Sequence, residues 1–519
     1  MANKKVTPDD GARRKTPTAP ERLATGNDGL DSILEGGFPA NRLYLVEGDP
    51  GTGKTTLALK FLLEGAARGE PVLYVTLSET KEEIEDVAAS HGWSLDGINI
   101  YELIPPEESL KSEMQYTIFH PSEVEFGETT TAVLDEVERI QPRRVVFDSL
   151  SEMRLLARDP LRYRRQILAL KQYFAGRQCT VLLLDDRTST HSDLQVQSIA
   201  HGVVELEHLA LDYGAERRRL RVVKLRGSRY RGGFHDFRIE TGGVVVYPRL
   251  VAAEHRHEFE REMVTSGVAE LDALLGGGLD RGTSTLILGP AGSGKSSIAA
   301  QFAAAAAERG EHTASFIFDE GVNTYLLRAA GLGREMRKQV EAGHMTLQQV
   351  DPAELSPGEF AHFVRRSVER DNARVVVIDS LNGYLQAMPD ERFLTVQMHE
   401  LLTSLNQQGV VTILVMAQHG FMGGQMGTPI DVSYLADTVL LLRFFEARGE
   451  VRRAISVVKK RTGHHENTIR EMRMSSGGIA VGEPLKDFQG VLTGVPNYRR
   501  PTGEEERDAS EERRGNADA

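Results

Sequence analysis

Continuous apolar runs alternate with Ala/Leu-rich or amphipathic stretches along most of the chain, and the whole alternation occurs twice. In the first half, strand-like runs fall near residues 43–47, 71–77, 144–148 and 180–184. In the second half they fall near 284–288, 314–318, 374–379 and 410–416. Runs that are apolar throughout, rather than at every second position, predict strands buried on both faces. That pattern belongs to a mostly parallel sheet flanked by helices, an α/β fold. Residues 220–225 and 454–458 predict an added antiparallel strand in each half.

The first apolar run of each half leads into the same kind of segment. One is Gly48-Asp49-Pro50-Gly51-Thr52-Gly53-Lys54-Thr55-Thr56, and the other is Gly289-Pro290-Ala291-Gly292-Ser293-Gly294-Lys295-Ser296-Ser297. Both fit G-x-x-x-x-G-K-[ST], the P-loop pattern, with a strand before it and a helical stretch opening at Thr56 or Ser297. Glycines let the backbone close round phosphates, and successive N–H groups then point inward. The positive end of the helix adds to the anion field. Lys54 or Lys295 reaches the β- and γ-phosphates, and the hydroxyl of Thr55 or Ser296 is a hard ligand for Mg²⁺. A single copy has a competing explanation as a Gly-rich turn with an accidental lysine. Two copies in equivalent settings do not. ATP and Mg²⁺ are therefore the expected cofactors.

Subtracting 54 from 295 gives an offset of 241, which also carries Gly26 to Gly267, Leu30-Asp31 to Leu271-Asp272, Gly36-Gly37 to Gly277-Gly278, and Glu79 to Glu320. A period of this size is a duplicated domain, not a solenoid. The expected layout is a polar arm over 1–20, a first domain over 21–250, a second over 251–499, and an acidic tail over 500–519. Both ends lack apolar anchors and read as disordered.

Composition narrows the partners. The chain has 519 residues, a formal net charge of −13 and an ordinary globular balance of 40% hydrophobic and 26% charged residues. That length suits two domains of about 200–250 residues each. The negative charge argues against broad nucleic-acid or membrane binding. The lone Cys179 lies in an apolar run, where a small buried hydrophobe is the simpler reading than a reactive thiol. No run approaches the ~20 apolar residues of a spanning helix, so a cytoplasmic protein is expected. The histidines show no zinc spacing. Trp93, after Gly92, is expected to pack locally, and Ala303 to Ala307 to form a tightly packed helix face.

Other residues extend the phosphate site. Asp148 and Asp379 each end an apolar strand, where a carboxylate can hold the metal or its water shell. Capping of the following helix is the competing role. Carboxylates also end the strand that follows each P-loop helix: Ser78-Glu79 in the first repeat, Asp319-Glu320 in the second, where a base for water or a hydroxyl would lie. The first repeat thus presents one carboxylate and the second a pair, which suggests different chemistry. Late in each repeat stands Lys-x-Arg, Lys224-Leu225-Arg226 and Lys459-Lys460-Arg461. These are either solvated basic turns or cations that reach a neighbouring subunit's nucleotide.

Together the duplicated unit, paired P-loops, Val-Val-x-Asp-Ser-Leu segments and Lys-x-Arg motifs resemble the KaiC family of double-domain RecA-like ATPases. The resemblance spans about Arg22 to Gly494 and is close at Ala436 to Leu442, Arg448-Gly449-Glu450 and Arg453-Ala454-Ile455. It implies two tandem RecA-like P-loop NTPase domains in a homohexameric ring with ATP at subunit boundaries. The first tier would be chiefly an ATPase, and the second would phosphorylate hydroxyls. It further implies that Ser90, Lys224, Leu225, Arg226 and Ser228 serve the first nucleotide, and Arg453, Lys459 and Arg461 the second. Glu79, Asp319 and Glu320 fall on catalytic carboxylate positions, with Asp319 also near the metal. Ser433 and Thr428 fall on phospho-acceptor positions.

Departures accompany the likeness. Ser78 and Asp319 stand where clock members have Glu, Tyr434 where they have Thr, and Leu332 where an aromatic stacks on adenine. Two other classes compete with an ATPase and Ser/Thr autokinase. A nucleic-acid motor would use Lys/Arg-lined loops, but residues 418–427 contain neither; Arg217 to Arg219 and Arg226 to Arg231 are the counter-evidence. A non-catalytic scaffold gated by ATP is the other.

Overall fold

A computed structural model describes residues 20–103, 121–157, 159–187, 194–211, 213–252, 258–386, 394–418, 435–492 and 497–498. The chain divides into two compact units, the first running to Arg249 without residues 211–215, which belong with the second.

The first unit holds a nine-stranded sheet: β1 (Leu43–Gly48), β2 (Val72–Thr76), β3 (Ile98–Glu102), β4 (Arg144–Asp148), β5 (Thr180–Asp186), β6 (Gly202–Leu209), β7 (Arg217–Leu225), β8 (His235–Glu240) and β9 (Gly243–Tyr247). Its order is β9-β8-β7-β6-β1-β5-β4-β2-β3. Strands β1 to β6 run parallel, and β7 to β9 are added antiparallel. The second unit repeats this with β10 (Ser284–Gly289), β11 (Thr313–Ile317), β12 (Met345–Gln349), β13 (Val375–Asp379), β14 (Val411–Ala417), β15 (Thr438–Ala447), β16 (Glu450–Lys460), β17 (Arg470–Ser475) and β18 (Gly478–Pro484). Its order, β18-β17-β16-β15-β10-β14-β13-β11-β12, is the same arrangement shifted by nine. These are two tandem RecA-like domains.

Alternation along each central strand supplies two cores. In β1, Tyr44 and Val46 enter the cluster under the helix Lys54–Ala67, and Leu43 and Leu45 enter the cluster on the other face. That helix inserts Leu57, Ala58, Phe61 and Leu62, all within 2% exposure, each large side chain worth about 1.5–3 kcal/mol of transfer free energy. Its counterpart Lys295–Glu308 buries every alanine from Ala303 to Ala307, as the sequence pattern suggests.

Several details differ from the sequence reading. Both P-loop helices open at lysine, at Lys54 and Lys295, not two residues later. The reason is that Gly53 and Gly294 take left-handed N-cap conformations, φ 94° and 102°, which turn the chain into the helix two residues earlier. Edge strands β3 and β12 are half-buried and polar, so no apolar run marks them. Trp93 packs beyond its neighbourhood: a Cβ on Gly243 would fall 2.4 Å from the indole, so the ring rests on the turn between β8 and β9. Cys179 is buried, and burial pushes its thiol up to about 12. Among the described residues, no helix is long and apolar enough to cross a membrane.

Candidate functional sites

Each phosphate cradle lies at the C-terminal end of a parallel strand, where α/β sheets open on a ligand crevice. In the first, β1 ends at Gly48, where a Cβ would meet Leu206 O at 2.5 Å and Thr52 Oγ1 at 2.8 Å. Thr52 fastens the loop by donating from Oγ1 to Asp49 O at 2.8 Å. Gly51 is also left-handed, at φ 77°. Lys54 curls back under the loop and donates to Gly48 O and Asp49 O, both at 2.9 Å. Thr55 donates to Asp148 Oδ2 at 2.8 Å, bringing the end of β4 to the start of the helix. Tyr74 donates to the same oxygen at 2.5 Å. Burial raises the Asp148 carboxyl above its ordinary range despite these donors.

Glu79 stands after β2, with its backbone pinned by Thr76. Thr76 Oγ1 donates to Glu79 O at 2.7 Å and accepts from Glu79 N at 3.0 Å. The Glu79 Oε2 atom is buried with no hydrogen-bond partner among the described residues. Burial, then the neighbouring Asp148, raises its carboxyl. Ser90 ends the helix Lys81–Ser90, next to His91, whose Nε2 lies 3.4 Å from Thr56 Oγ1. Nothing in the sequence marked His91.

The second cradle shows the same parts. Gly289 would place a Cβ 2.7 Å from Leu442 O. Ser293 Oγ donates to Pro290 O, as does Lys295 Nζ, both at 2.8 Å. Ser296 donates to Asp379 Oδ1 at 3.0 Å, while Asp379 Oδ2 is buried and unpartnered among the described residues. Burial holds Asp379 up at about 6. A cavity of about 580 Å³ joins Gly292, Gly294, Lys295, Ser296, Ser297 and Asp379 to Asp319, Glu320 and Leu332. Here both carboxylates are engaged. Asp319 accepts from Ser380 Oγ, and Glu320 pairs with Arg328. Arg328 falls where the offset puts Val87 in the first repeat, so sequence motifs alone did not single it out.

The Lys-x-Arg segments are elsewhere. Lys224 faces Val203 in the β6–β7 ladder and donates to Gln197 O; Arg226 donates to Ser198 O at 2.8 Å. The Arg226 amide meets His201 O, and the His201 amide meets Leu43 O at the start of β1. Leu225, Arg226 and Ser228 thus sit at the far end of the sheet from their own P-loop. Lys459, donating to Ala436 O at 2.8 Å, and Arg461, donating to Asp437 Oδ1 at 3.2 Å, hold the matching place in the second unit. Arg453 is at the other end of β16, beside its own loop, with Nε 3.4 Å from Gly292 O. The acceptor positions Ser433 and Thr428, and Tyr434, lie outside the described residues.

The donor sets suit Mg²⁺. Each cradle offers one hydroxyl and one buried carboxylate, hard oxygens that leave room for phosphate and water, as this ion prefers. Among the described residues, no cluster of three or more His, Cys, Asp or Glu forms an all-protein cage.

Comparison with known proteins agrees with this geometry. The family model described as KaiC ATPase matches residues 23–251 and again 264–486. Circadian clock protein KaiC3 of Synechocystis is 25% identical over 488 residues, covering 92% of this chain and 95% of that protein. The circadian clock oscillator protein KaiC of Picosynechococcus is 27% identical over 492 residues, 92% of either chain. That of Synechococcus elongatus is 26% identical over 486 residues, again 92% of either.

Proposed function

Because the chain belongs to the KaiC family of ATPases, we propose that it hydrolyses Mg-ATP at its first cradle and autophosphorylates Ser/Thr near its second. One observation carries the reading: in both repeats the P-loop hydroxyl donates to the strand-end aspartate, Thr55 to Asp148 and Ser296 to Asp379. This pairing presets one hydroxyl and one carboxylate that would hold the metal, whose charge would offset that developing on the phosphates. Lys54 and Lys295 bind the phosphate chain. Glu79, with a buried oxygen unpartnered among the described residues and a raised carboxyl, takes a proton from the attacking water. At the second cradle Asp319 and Glu320 do the same for Ser433 or Thr428.

Lys224, Arg226, Lys459 and Arg461 reach the nucleotide of an adjoining copy in a homohexameric ring. What supports this is their place at the sheet end away from their own P-loops. Signalling through ring conformation, as a clock-like regulator, is the matching role, and relatives named as circadian clock proteins support it. The engaged carboxylates of the second cradle favour a slower reaction there, and a nucleotide-gated scaffold is the limit of that trend.

Steady-state phosphate release by wild type, Glu79→Gln and Glu320→Gln tests hydrolysis, and equal rates in all three would contradict it. Phosphosite mapping after incubation with Mg-ATP tests the kinase. Phosphate on Ser433 or Thr428 is the expected result, and its absence from both ends the kinase assignment.

A further inference from the structure

Beside the P-loop strand the two cradles differ at a position that neither motif contains. In the parallel ladder beside the P-loop strand, Gly48 of β1 faces Asp186, the last residue of β5. The equivalent pair in the second unit is Gly289 of β10 and Ala417 of β14. Asp186 uses its place: Oδ1 lies 2.7 Å from Lys54 Nζ, with the lysine 7% and the aspartate 27% exposed. Ser151 Oγ donates to the other oxygen at 3.3 Å, which fixes the carboxylate's direction. The three N–H bonds of Lys54 are thus directed at Gly48 O, Asp49 O and Asp186. Among the described residues, Lys295 donates to Pro290 O alone.

Resting on the ATP-binding reading above, we propose that Asp186 is a positioning residue that competes with the triphosphate for Lys54, weakening ATP binding at the first cradle relative to the second. An ammonium has three donors, so a phosphate oxygen gains Lys54 only by displacing one acceptor. The two carbonyls belong to the loop that wraps the phosphates; Asp186 is the partner that yields. Its released charge then faces the phosphate chain, in a half-buried site already containing Asp148 and Glu79. Like charges at such range repel by several times the thermal energy. The second cradle replaces Asp186 with Ala417. Its added cation, Arg328 where the first has Val87, is offset by its added carboxylate, Asp319 where the first has Ser78, so the Asp186 position sets the difference. Tight holding therefore falls to the second cradle and faster exchange to the first.

Equilibrium titration with fluorescent Mg-ATP in the full chain tests this with one cradle disabled at a time. In a Lys295→Ala background, Asp186→Asn tightens binding about tenfold, and KM for ATP falls while kcat holds or drops as release slows. In a Lys54→Ala background, Ala417→Asp weakens binding about tenfold. Asn is isosteric, so Asp186→Asn retains the fold, and an unchanged melting temperature confirms that. Unchanged or weaker binding by Asp186→Asn in a parent that binds ATP overturns the role of Asp186 and leaves the ATPase reading standing. No binding by either single-cradle parent overturns both.

Discussion

Replacing Glu79 by Gln isolates the base of the first cradle. Glutamine has the same shape, and the Glu79 backbone is held by Thr76 through two hydrogen bonds of 2.7 and 3.0 Å, so the segment keeps its course. What changes is the loss of a proton acceptor whose Oε2 is buried without a partner among the described residues. A positioned general base contributes about 10²–10⁴-fold, or roughly 3–5 kcal/mol of barrier. In a Lys295→Ala background, kcat for phosphate release should fall by that factor while nucleotide affinity changes little. The wild-type acidic limb should lie above the ordinary glutamate range, because burial and Asp148 raise the Glu79 carboxyl. Sign follows from linkage. A carboxyl raised in the folded state favours folding when protonated and opposes it once ionised, so its stabilising contribution is lost as pH rises through the folded pKa. Glu79→Gln should therefore melt at or above wild type near neutrality and converge with it in acid. Turnover within threefold of wild type, with ATP still bound, would refute the base assignment.

Four further outcomes follow from the geometry. Asp379→Asn should raise the melting temperature of the nucleotide-free chain at pH 7 relative to wild type. Burial holds the wild-type carboxyl at about 6, so folded-state stability is lost between about pH 4 and 6. The same variant should lose thermal stabilisation by Mg-ATP at the second cradle, measured in a Lys54→Ala background. Gly48→Ala should cost about 1–3 kcal/mol, read by denaturant melts of the first unit, because its Cβ would press on Leu206 O at 2.5 Å. Arg144→Met should destabilise the first unit by about 3–5 kcal/mol. Arg144 is fully buried, stacks 4.6 Å from the Phe61 ring centroid, donates to Ala24 O and Phe61 O, and pairs with Glu70.

The central strands were legible because both their faces are buried, which leaves runs such as Val375 to Ile378 with no polar residue. The P-loops were legible because phosphate binding constrains a short contiguous segment. Strand β6 was harder to read: Gly-Val-Val-Glu-Leu-Glu-His-Leu places charges inside it. Its Glu205 is nonetheless 2% exposed, tied to Arg187 and Arg221 from neighbouring segments. Asp186 and Arg328 were invisible for a different reason. Asp186 meets Lys54 from 132 positions along the chain, as 186 less 54 shows, and only strand register brings them together. Arg328 lies in the last turn of the helix Val322–Gly331 that directly follows Glu320, in a segment with no motif of its own. The roles proposed for Lys224 and Lys459 need a second copy of the chain, so no local pattern around them marks a nucleotide site.

Nucleotide stoichiometry measured by native mass spectrometry in wild type, Lys54→Ala, Lys295→Ala and the double variant tests the two-cradle account most directly. Two, one, one and no Mg-ATP per chain are expected. Two nucleotides retained by the double variant, or none by wild type, would contradict it.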